Sequence, residues 1–254
     1  MVNPPPNTNA THAATRWWAR PPLLALAIAG ALLVLALAWS AWRGAPAAPG
    51  TAPQGLPWQV QRLPDGGSEV FGLMPGRTTV AEVSQRFAND LRLALAVSGE
   101  QPPTLEAYVE SFQAGFVNGK LVLAFSADPH WLAEALARSP RRELAGDGRA
   151  RRHALAEADL AQAQRLPLAA LAFLPAARLD EATITARFGP PAERLAGAQG
   201  ELQLLYPALG LAVTLPPGEG ELARARPVLQ YVAPREFEQR LRAPLVGASA
   251  PAAR

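Results

Sequence analysis

Two glutamates have the residue type and spacing that come nearest to a catalytic arrangement. Glu106 and Glu110 lie four positions apart, so in a helix predicted over Thr104–Phe112 their carboxylates share one face. Paired carboxylates supply the acid and the base of a hydrolytic reaction, and His130 is a further titratable group. A solvated helix face has the same spacing. We therefore interpret the pair as surface residues and keep a cell-envelope hydrolase with a site near Glu106/Glu110 as the alternative function.

The remaining reactive groups do not form a recognisable site. The histidines His12, His130 and His153 are far apart in the sequence, and no third ligand for a metal ion can be named. The segment Gly115–Lys120 resembles a phosphate-binding loop, but it is one residue short and Leu121 replaces the hydroxyl that coordinates magnesium. The sequence therefore predicts no catalytic, cofactor-binding or metal-binding residue and no cofactor, and it favours a non-enzymatic protein over an enzyme.

Charge and cysteine content argue against several other classes of protein. The 24 basic and 21 acidic residues leave a formal net charge of +3. The arginines alternate with acidic residues and do not gather on one predicted face, which argues against a nucleic-acid partner. The chain has no cysteine. Disulfides, thiolate catalysis, iron–sulfur clusters and a lipoprotein anchor are therefore excluded.

A long uncharged segment near the N-terminus predicts a membrane anchor. Pro22–Trp42 contains no charged residue. At about 1.5 Å per residue, a helix of this length spans roughly 30 Å, the thickness of a bilayer's hydrocarbon core. Tryptophans, which prefer the two headgroup levels, flank both ends of the segment: Trp17, Trp18, Trp39 and Trp42. We expect a single-pass helix in a bacterial inner membrane.

The residues around this segment predict its orientation and leave one alternative open. Arg16 and Arg20 precede the helix, whereas Arg43 alone follows it. The positive-inside rule therefore places the N-terminus in the cytoplasm and the C-terminal domain in the periplasm. Ala45–Ala47 resembles the cleavage site of a signal peptide, although the apolar run is longer than those of such peptides. Whether the anchor is cleaved stays open at this point.

Composition and pattern divide the chain into consecutive segments. The N-terminal tail and the linker are rich in Pro, Gly, Ala and Thr, and such segments bury too little apolar area to offset the entropy of ordering. The predicted segments are a cytoplasmic tail at 1–21, a transmembrane helix at 22–42, a linker at 43–57, a first α+β unit at 58–128, a helical connector at 129–166, a second α+β unit at 167–242 and a disordered tail at 243–254.

The first unit is predicted to combine strands, two helices and a hairpin. Trp58–Gly72 alternates in polarity around a Pro-Asp-Gly-Gly turn, which indicates two short strands. Thr78 or Thr79 is predicted to be the N-cap of a helix, and Glu82, three residues after Thr79, gives the pattern of a capping box. A second helix is predicted over Thr104–Phe112. Asn118-Gly119, between two apolar runs, predicts the turn of a hairpin.

Between the two units, helical patterns at Pro129–Arg138 and His153–Gln164 flank a polar loop at Ser139–Gly148. This connector holds the densest group of basic residues in the chain: Arg138, Arg141, Arg142, Arg149, Arg151 and Arg152. We interpret it as an exposed linker. Contact with anionic headgroups or another envelope polyanion is the alternative.

The second unit is predicted to follow an order similar to that of the first. A buried strand at Leu166–Leu174 precedes a helix that ends at Phe188, where Gly189 and two prolines stop it. Three antiparallel strands and a short closing helix follow: Glu201–Tyr206, Leu211–Leu215, Pro227–Val232 and Glu236–Leu241. The residue pattern of Ala182–Phe188 matches that of Ala81–Phe87, which suggests an internal duplication.

A helix that ends in Arg187-Phe188-Gly189-Pro190 and leads into a hairpin and a third strand resembles the SmpA/OmlA-like fold. A tandem copy of such a unit, with the sheets side by side, resembles the β-lactamase inhibitor protein. Val70–Gly76, Thr104–Tyr108 and Leu229–Arg235 also resemble stretches of uncharacterised proteobacterial envelope proteins. The resemblance covers roughly residues 58–242, and it implies a binding scaffold rather than a reaction.

The expected fold class is therefore α+β, with an N-terminal transmembrane helix followed by two helix-plus-antiparallel-sheet units. The expected function is that of a membrane-anchored extracytoplasmic protein-interaction module of the cell envelope. Its expected partners are the inner membrane, through Pro22–Trp42, and an envelope protein, with no nucleic acid.

Overall fold

An antiparallel sheet of ten strands dominates the computed structural model, which describes residues 55–99, 101–140, 142–144 and 150–249. The predicted anchor at Pro22–Trp42, the tail before it and the linker up to residue 54 lie outside those residues. Among the residues that the structure describes, no helix is both long enough and apolar enough to cross a membrane.

The described residues form five α-helices and twelve strands, which confirms the α+β class with a large antiparallel sheet. In chain order the elements are β1 Gln61–Arg62, β2 Ser68–Glu69, α1 Val80–Phe87, β3 Leu91–Ser98, β4 Thr104–Ala114, β5 Val117–Phe125, α2 Pro129–Ala137, β6 Arg142–Leu144, β7 Ala150–His153, α3 Glu157–Ala163, β8 Leu168–Pro175, α4 Glu181–Phe188, β9 Glu193–Ala196, β10 Leu202–Tyr206, β11 Leu211–Leu215, β12 Val228–Val232 and α5 Ala243–Ser249. Short turns of 3₁₀ or π geometry connect several of them.

The strand order in the large sheet is β6-β7-β3-β4-β5-β8-β12-β11-β10-β9, while β1 and β2 form a separate hairpin. β8 lies in the middle, where it pairs antiparallel with β5 on one side and with β12 on the other. Leu171 of β8 is opposite both Leu123 and Tyr231. The buried strand predicted at Leu166–Leu174 is thus confirmed, and it joins the two halves of the sheet.

One face of the sheet carries the main hydrophobic core. Val83 of α1, Trp131 of α2 and Ile184 of α4 belong to the same buried cluster as the inward side chains of β3, β4, β5, β8, β10, β11 and β12. On the opposite face, Phe237 and Leu241 pack in a smaller cluster with residues of β10, β11 and β12. The C-terminal segment therefore covers that face from β8 to β9, where Ala170 and Leu195 also pack against this cluster.

The two helices predicted from capping signals are present. Thr79 and Glu82 form the predicted capping box, in which Glu82 Oε2 accepts the Thr79 N–H at 2.7 Å and Thr79 Oγ1 accepts the Glu82 N–H at 3.3 Å. Asp180 caps α4 by accepting the Thr183 N–H at 2.8 Å. Gly189 ends that helix with a φ of 83°. These local bonds satisfy amide groups that a helix leaves unpaired at its start.

The helix predicted over Thr104–Phe112 is wrong, because this segment lies in strand β4. Leu105, Ala107 and Val109 belong to the core cluster, whereas the residues between them face the other side of the sheet. That alternation has the period of two that characterises a strand. Pairing with β3 on one side and β5 on the other stabilises it.

The hairpin between β4 and β5 exists, but its predicted turn at Asn118-Gly119 is wrong. The chain reverses at Gly115 and Phe116, where Gly115 has a φ of 61°. Asn118 and Gly119 lie inside β5 and pair with β4. Gly119 is required for a different reason: a Cβ atom there would lie 2.4 Å from the Leu174 carbonyl oxygen.

Four further predictions need correction. The connector at 129–166 is not purely helical, because β6 and β7 lie between α2 and α3 and add two strands to the edge of the sheet. The second unit has an additional strand, β9, which pairs with β10. The tail predicted to be disordered at 243–254 begins with helix α5, and residues 250–254 lie outside the described part of the chain. The short helix predicted at Glu236–Leu241 corresponds to a 3₁₀ turn followed by a π-helical turn.

Candidate functional site

A row of polar residues lies on the face of the sheet opposite the main core. We call it the polar strip, and it consists of Thr104, Glu106, Tyr108 and Glu110 of β4, Lys120 of β5 and Arg152 of β7. From Thr104 to Glu110 the even-numbered positions of β4 face this side, because Leu105, Ala107 and Val109 face the core. The register places Arg152 opposite Ala96 of β3, one strand away from β4.

Glu106 accepts two hydrogen bonds within the strip. The Tyr108 hydroxyl donates to Glu106 Oε2, and the Thr104 hydroxyl donates to Glu106 Oε1 at 2.9 Å. Burial, and then the hydrogen bond to Glu106, raise the pKa of the Tyr108 hydroxyl far above its usual range. Tyr108 therefore stays protonated at physiological pH and acts as a donor that orients the carboxylate.

Glu110 lies between two cations. Lys120 Nζ donates to Glu110 Oε2 at 2.6 Å, and Arg152 Nη1 lies 3.5 Å from Glu110 Oε1. The hydrogen bond from Lys120 is the main cause that lowers the pKa of Glu110 below its ordinary value. Glu110 is therefore ionised at neutral pH and cannot supply the proton that a general acid donates.

Arg152 is held against the Tyr108 ring. The central carbon of its guanidinium lies 3.6 Å from the ring centroid, within the range of a cation–π interaction. Its Nε atom is buried and has no hydrogen-bond partner. Stacking and the contact with Glu110 thus fix the guanidinium while leaving one of its donors unsatisfied, which is energetically unfavourable for a buried N–H group.

The structure does not assemble the predicted hydrolase residues into an acid–base pair. Glu106 and Glu110 share one face, as predicted, but on a strand their Cα atoms are about 13 Å apart. The carboxyl groups of inverting and retaining glycosidases are separated by roughly 5–9.5 Å. Both carboxylates are engaged by neighbours within the strip. His130 lies elsewhere, on α2. Its side chain is 83% exposed, and its Nδ1 atom lies 3.4 Å from Glu134 Oε1.

The other candidates from the sequence are dispersed. His12 lies outside the described residues, and His153 is the last residue of β7. Within the ranges that the structure describes, no three His, Cys, Asp or Glu side chains lie close enough together to hold a metal ion. From the basic connector, Arg138 pairs with the buried Asp159, 2.8 Å away, and so links α2 to α3.

Sequence reasoning identified Glu106 and Glu110 but missed Tyr108, Lys120 and Arg152 as their partners. The alternation of polar residues from Thr104 to Glu110 is a signal that a strand interpretation would have found.

Comparison of the chain with protein-family models, with curated proteins and with solved structures found no match in any of the three.

The ion pairs of Glu110 predict a pH dependence of stability. The pKa of Glu110 is lower in the folded chain than the ordinary value of 4.5. Its contribution to the free energy of unfolding is therefore complete above pH 4.5 and is lost as the pH falls through the folded-state pKa. The free energy of unfolding decreases towards acid pH, and we call this decrease the acid limb. Replacing Glu110 by glutamine should make the acid limb smaller by less than about 1 kcal/mol, because the side chain is half-exposed. Thermal unfolding of the full chain in a nonionic detergent between pH 3.5 and 7 measures this.

Glu219→Gln is the matched control. Glu219 is exposed and forms no ion pair with any described residue, so its replacement should leave the acid limb unchanged. Equal effects of the two substitutions would show that the pairs of Glu110 with Lys120 and Arg152 contribute nothing specific.

Proposed function

We propose that this chain is a membrane-anchored extracytoplasmic interaction module of the cell envelope and that it is not an enzyme. Pro22–Trp42 is its anchor in the bacterial inner membrane, with the N-terminus in the cytoplasm and the residues from 58 onward in the periplasm. The uncharged length of that segment and the arginines before it support this topology. An envelope protein is the proposed partner.

The observation that carries the proposal is a partly exposed area of the sheet, which we call the open face. It consists of Lys120, Val122 and Ala124 of β5 with Ala172 and Leu174 of β8, and each of these side chains is exposed or half-buried. The polar strip lies beside it on β4 and β7. An apolar centre next to fixed polar groups is the composition of many protein–protein interfaces, and strands hold such groups in place.

The topology also supports the proposal that the domain consists of two related units. Helix α1 precedes β3, β4, β5 and β8, and helix α4 precedes β9, β10, β11 and β12. The sheet order β3-β4-β5-β8-β12-β11-β10-β9 is antiparallel throughout. A twofold axis that is perpendicular to the sheet and passes between β8 and β12 therefore relates the two sets of four strands. It places β3 on β9, β4 on β10, β5 on β11 and β8 on β12, with the same strand directions. In this proposal β8 closes the first unit, instead of opening the second as the sequence predicted, and the connector with β6 and β7 is inserted before it.

Site-specific photocrosslinking tests the proposed function. A photoreactive amino acid at Val122 in the full chain, in carbonate-washed membranes of cells that express it, should give one crosslinked product of defined mass. The same amino acid at Leu160, which is 40% exposed on α3 and away from the open face, should not give that product. Identical products from both positions, or none from Val122, Ala124 and Ala172, would contradict an interaction through this face.

A further inference from the structure

A hollow beside Tyr108 is lined by two arginines, of which Arg152 is paired with Glu110 and Arg92 is not. It measures about 350 Å³ and is lined by Arg92, Leu93 and Ala94 of β3 together with Tyr108, Arg152 and His153. We call it the arginine hollow. None of the described residues that line it is acidic. Its polar lining therefore offers donors and positive charge to whatever occupies it.

Arg92 is the less constrained of the two arginines. It lies directly opposite Tyr108 in the β3–β4 register, so both side chains are on the same face of the sheet. Arg92 is exposed and forms no ion pair with any residue that the structure describes. A cation at the rim of a hollow attracts an anion at little cost in desolvation.

Arg152 is the preorganised member of the pair. The Tyr108 ring lies on one side of its guanidinium, and Glu110 engages one of its nitrogens. Its unsatisfied Nε belongs to the planar fork with which arginine binds a carboxylate through two parallel hydrogen bonds.

We propose that the arginine hollow binds a carboxylate side chain from an acidic segment of the protein partner. This inference rests on the proposed function and names the group that the partner presents. Arg92 and Arg152 bind the carboxylate, and the apolar walls formed by Ala94 and the Tyr108 ring contact its methylene groups. Guanidinium groups in a partly desolvated site bind such an anion more strongly than surface lysines do.

A second hollow gives the bound segment a direction. It measures about 420 Å³ on the other side of Tyr108 and is lined by Ala96, Ser98, Gln101, Thr104 and Glu106, among others. Its groups include hydroxyls, an amide and a carboxylate, so it favours a hydrogen-bonding or basic side chain. The two hollows lie along β3, and an extended segment parallel or antiparallel to that strand would occupy both. The acidic residue of such a segment lies at the Arg92 end.

Peptide titration of the full chain in a nonionic detergent tests the proposal. The probe is the blocked peptide GGEGG, the neutral comparison is GGQGG, and inorganic phosphate is a third ligand. The readout is the Kd together with the ¹⁵N–¹H signal of the arginine Nε groups. We expect GGEGG to bind more tightly than GGQGG and to shift one protected Nε signal, that of Arg152.

Two variants and one control locate the binding. Arg92→Gln should weaken GGEGG binding about tenfold, the effect of losing one charge-assisted hydrogen bond. Arg152→Lys keeps the charge but removes the planar fork, and it should abolish the shifted Nε signal. Arg226→Gln makes the same charge change at an exposed arginine that does not line the hollow, and it should change Kd less than about twofold. Near-ultraviolet circular dichroism checks that each variant is folded.

Several outcomes would overturn the proposal. GGQGG binding as tightly as GGEGG would exclude carboxylate recognition, and equal effects of the Arg92 and Arg226 substitutions would exclude the arginine hollow. Tighter binding of phosphate than of GGEGG would assign the hollow to a phosphorylated ligand instead. If Val122 still crosslinks to one product while Arg92→Gln has no effect, the interaction module stands and only the carboxylate assignment is wrong.

Discussion

Replacing Phe71 by alanine is expected to lower the stability of the domain by about 3–5 kcal/mol, the cost of removing a large aromatic side chain from a packed core. Phe71 is 4% exposed. Its ring centroid lies 5.1 Å from that of Phe112, 5.4 Å from that of Phe173 and 5.9 Å from that of Tyr231. Those residues belong to β4, β8 and β12, so one ring connects both halves of the sheet.

The loss comes from the side chain and not from the backbone. Phe71 has a φ of 56°, and alanine retains the Cβ atom that makes this conformation unfavourable. The variant therefore keeps the backbone strain and loses the ring contacts, which leaves a cavity among Phe112, Phe173 and Tyr231. Relaxation of the neighbouring rings decides where in the expected range the cost falls.

Phe116→Ala is the matched control, because the Phe116 side chain is 62% exposed at the β4–β5 turn. Its ring centroid lies 5.9 Å from that of Trp58. Its replacement should change stability by no more than about 0.5 kcal/mol. Thermal unfolding of the full chain in a nonionic detergent, followed by near-ultraviolet circular dichroism, should show a decrease of roughly 6–20 °C for Phe71→Ala. Similar shifts for both variants would refute the central role of this ring.

Gly119→Ala should have the second large effect, a loss of about 3 kcal/mol or more, at the upper end of what an overpacked core costs. The added Cβ would lie 2.4 Å from the Leu174 carbonyl oxygen and 2.6 Å from an atom of the Phe173 ring. Leu174 O is a backbone atom of the paired strand β8, so it cannot rotate away. The methyl group can be accommodated only if β5 and β8 separate, which weakens their pairing at Gly119 and Pro175.

Gly218→Ala separates this steric effect from the general cost of replacing a glycine. No atom lies within 4 Å of a Cβ built at Gly218, and its φ is not in the left-handed region. We expect that variant to be neutral or slightly stabilised, since alanine reduces the entropy of the unfolded chain. Urea denaturation of both full-length variants measures the difference. An unfolding midpoint of Gly119→Ala equal to that of Gly218→Ala would mean that the strands are not packed as closely as described.

Elements with one unambiguous sequence pattern could be predicted from the sequence, and a segment that fits two patterns could not. The capping box at Thr79 and Glu82 acts within one helical turn, so four residues suffice to recognise it. Strand β4 fits two patterns, because polar residues alternate from Thr104 to Glu110 while Leu105, Tyr108, Val109 and Phe112 have helical spacing. Only the neighbouring strands β3 and β5 determine that this segment is extended.

The candidate site was predictable to a similar extent. Glu106 and Glu110 are recognisable as a pair because they are close in the chain. Arg152 reaches them through the pairing of β7 with β3, and the connector that contains β7 has the composition of an exposed linker. Asn118-Gly119 shows the converse error: a dipeptide typical of turns lies inside a strand because Phe173 packs against the glycine.

The position of β12 in the strand order determines when the ten-stranded sheet can be completed during folding. Val228–Val232 follows all the other described strands along the chain, yet it lies between β8 and β11, and the Tyr231 hydroxyl donates to the Pro57 carbonyl oxygen at 2.8 Å. A nascent chain that ends before Val228 therefore exposes an unpaired edge of β8 at what will be the centre of the domain. The complete sheet therefore forms only once β12 is available, and prematurely terminated chains carry an edge that associates readily with other strands.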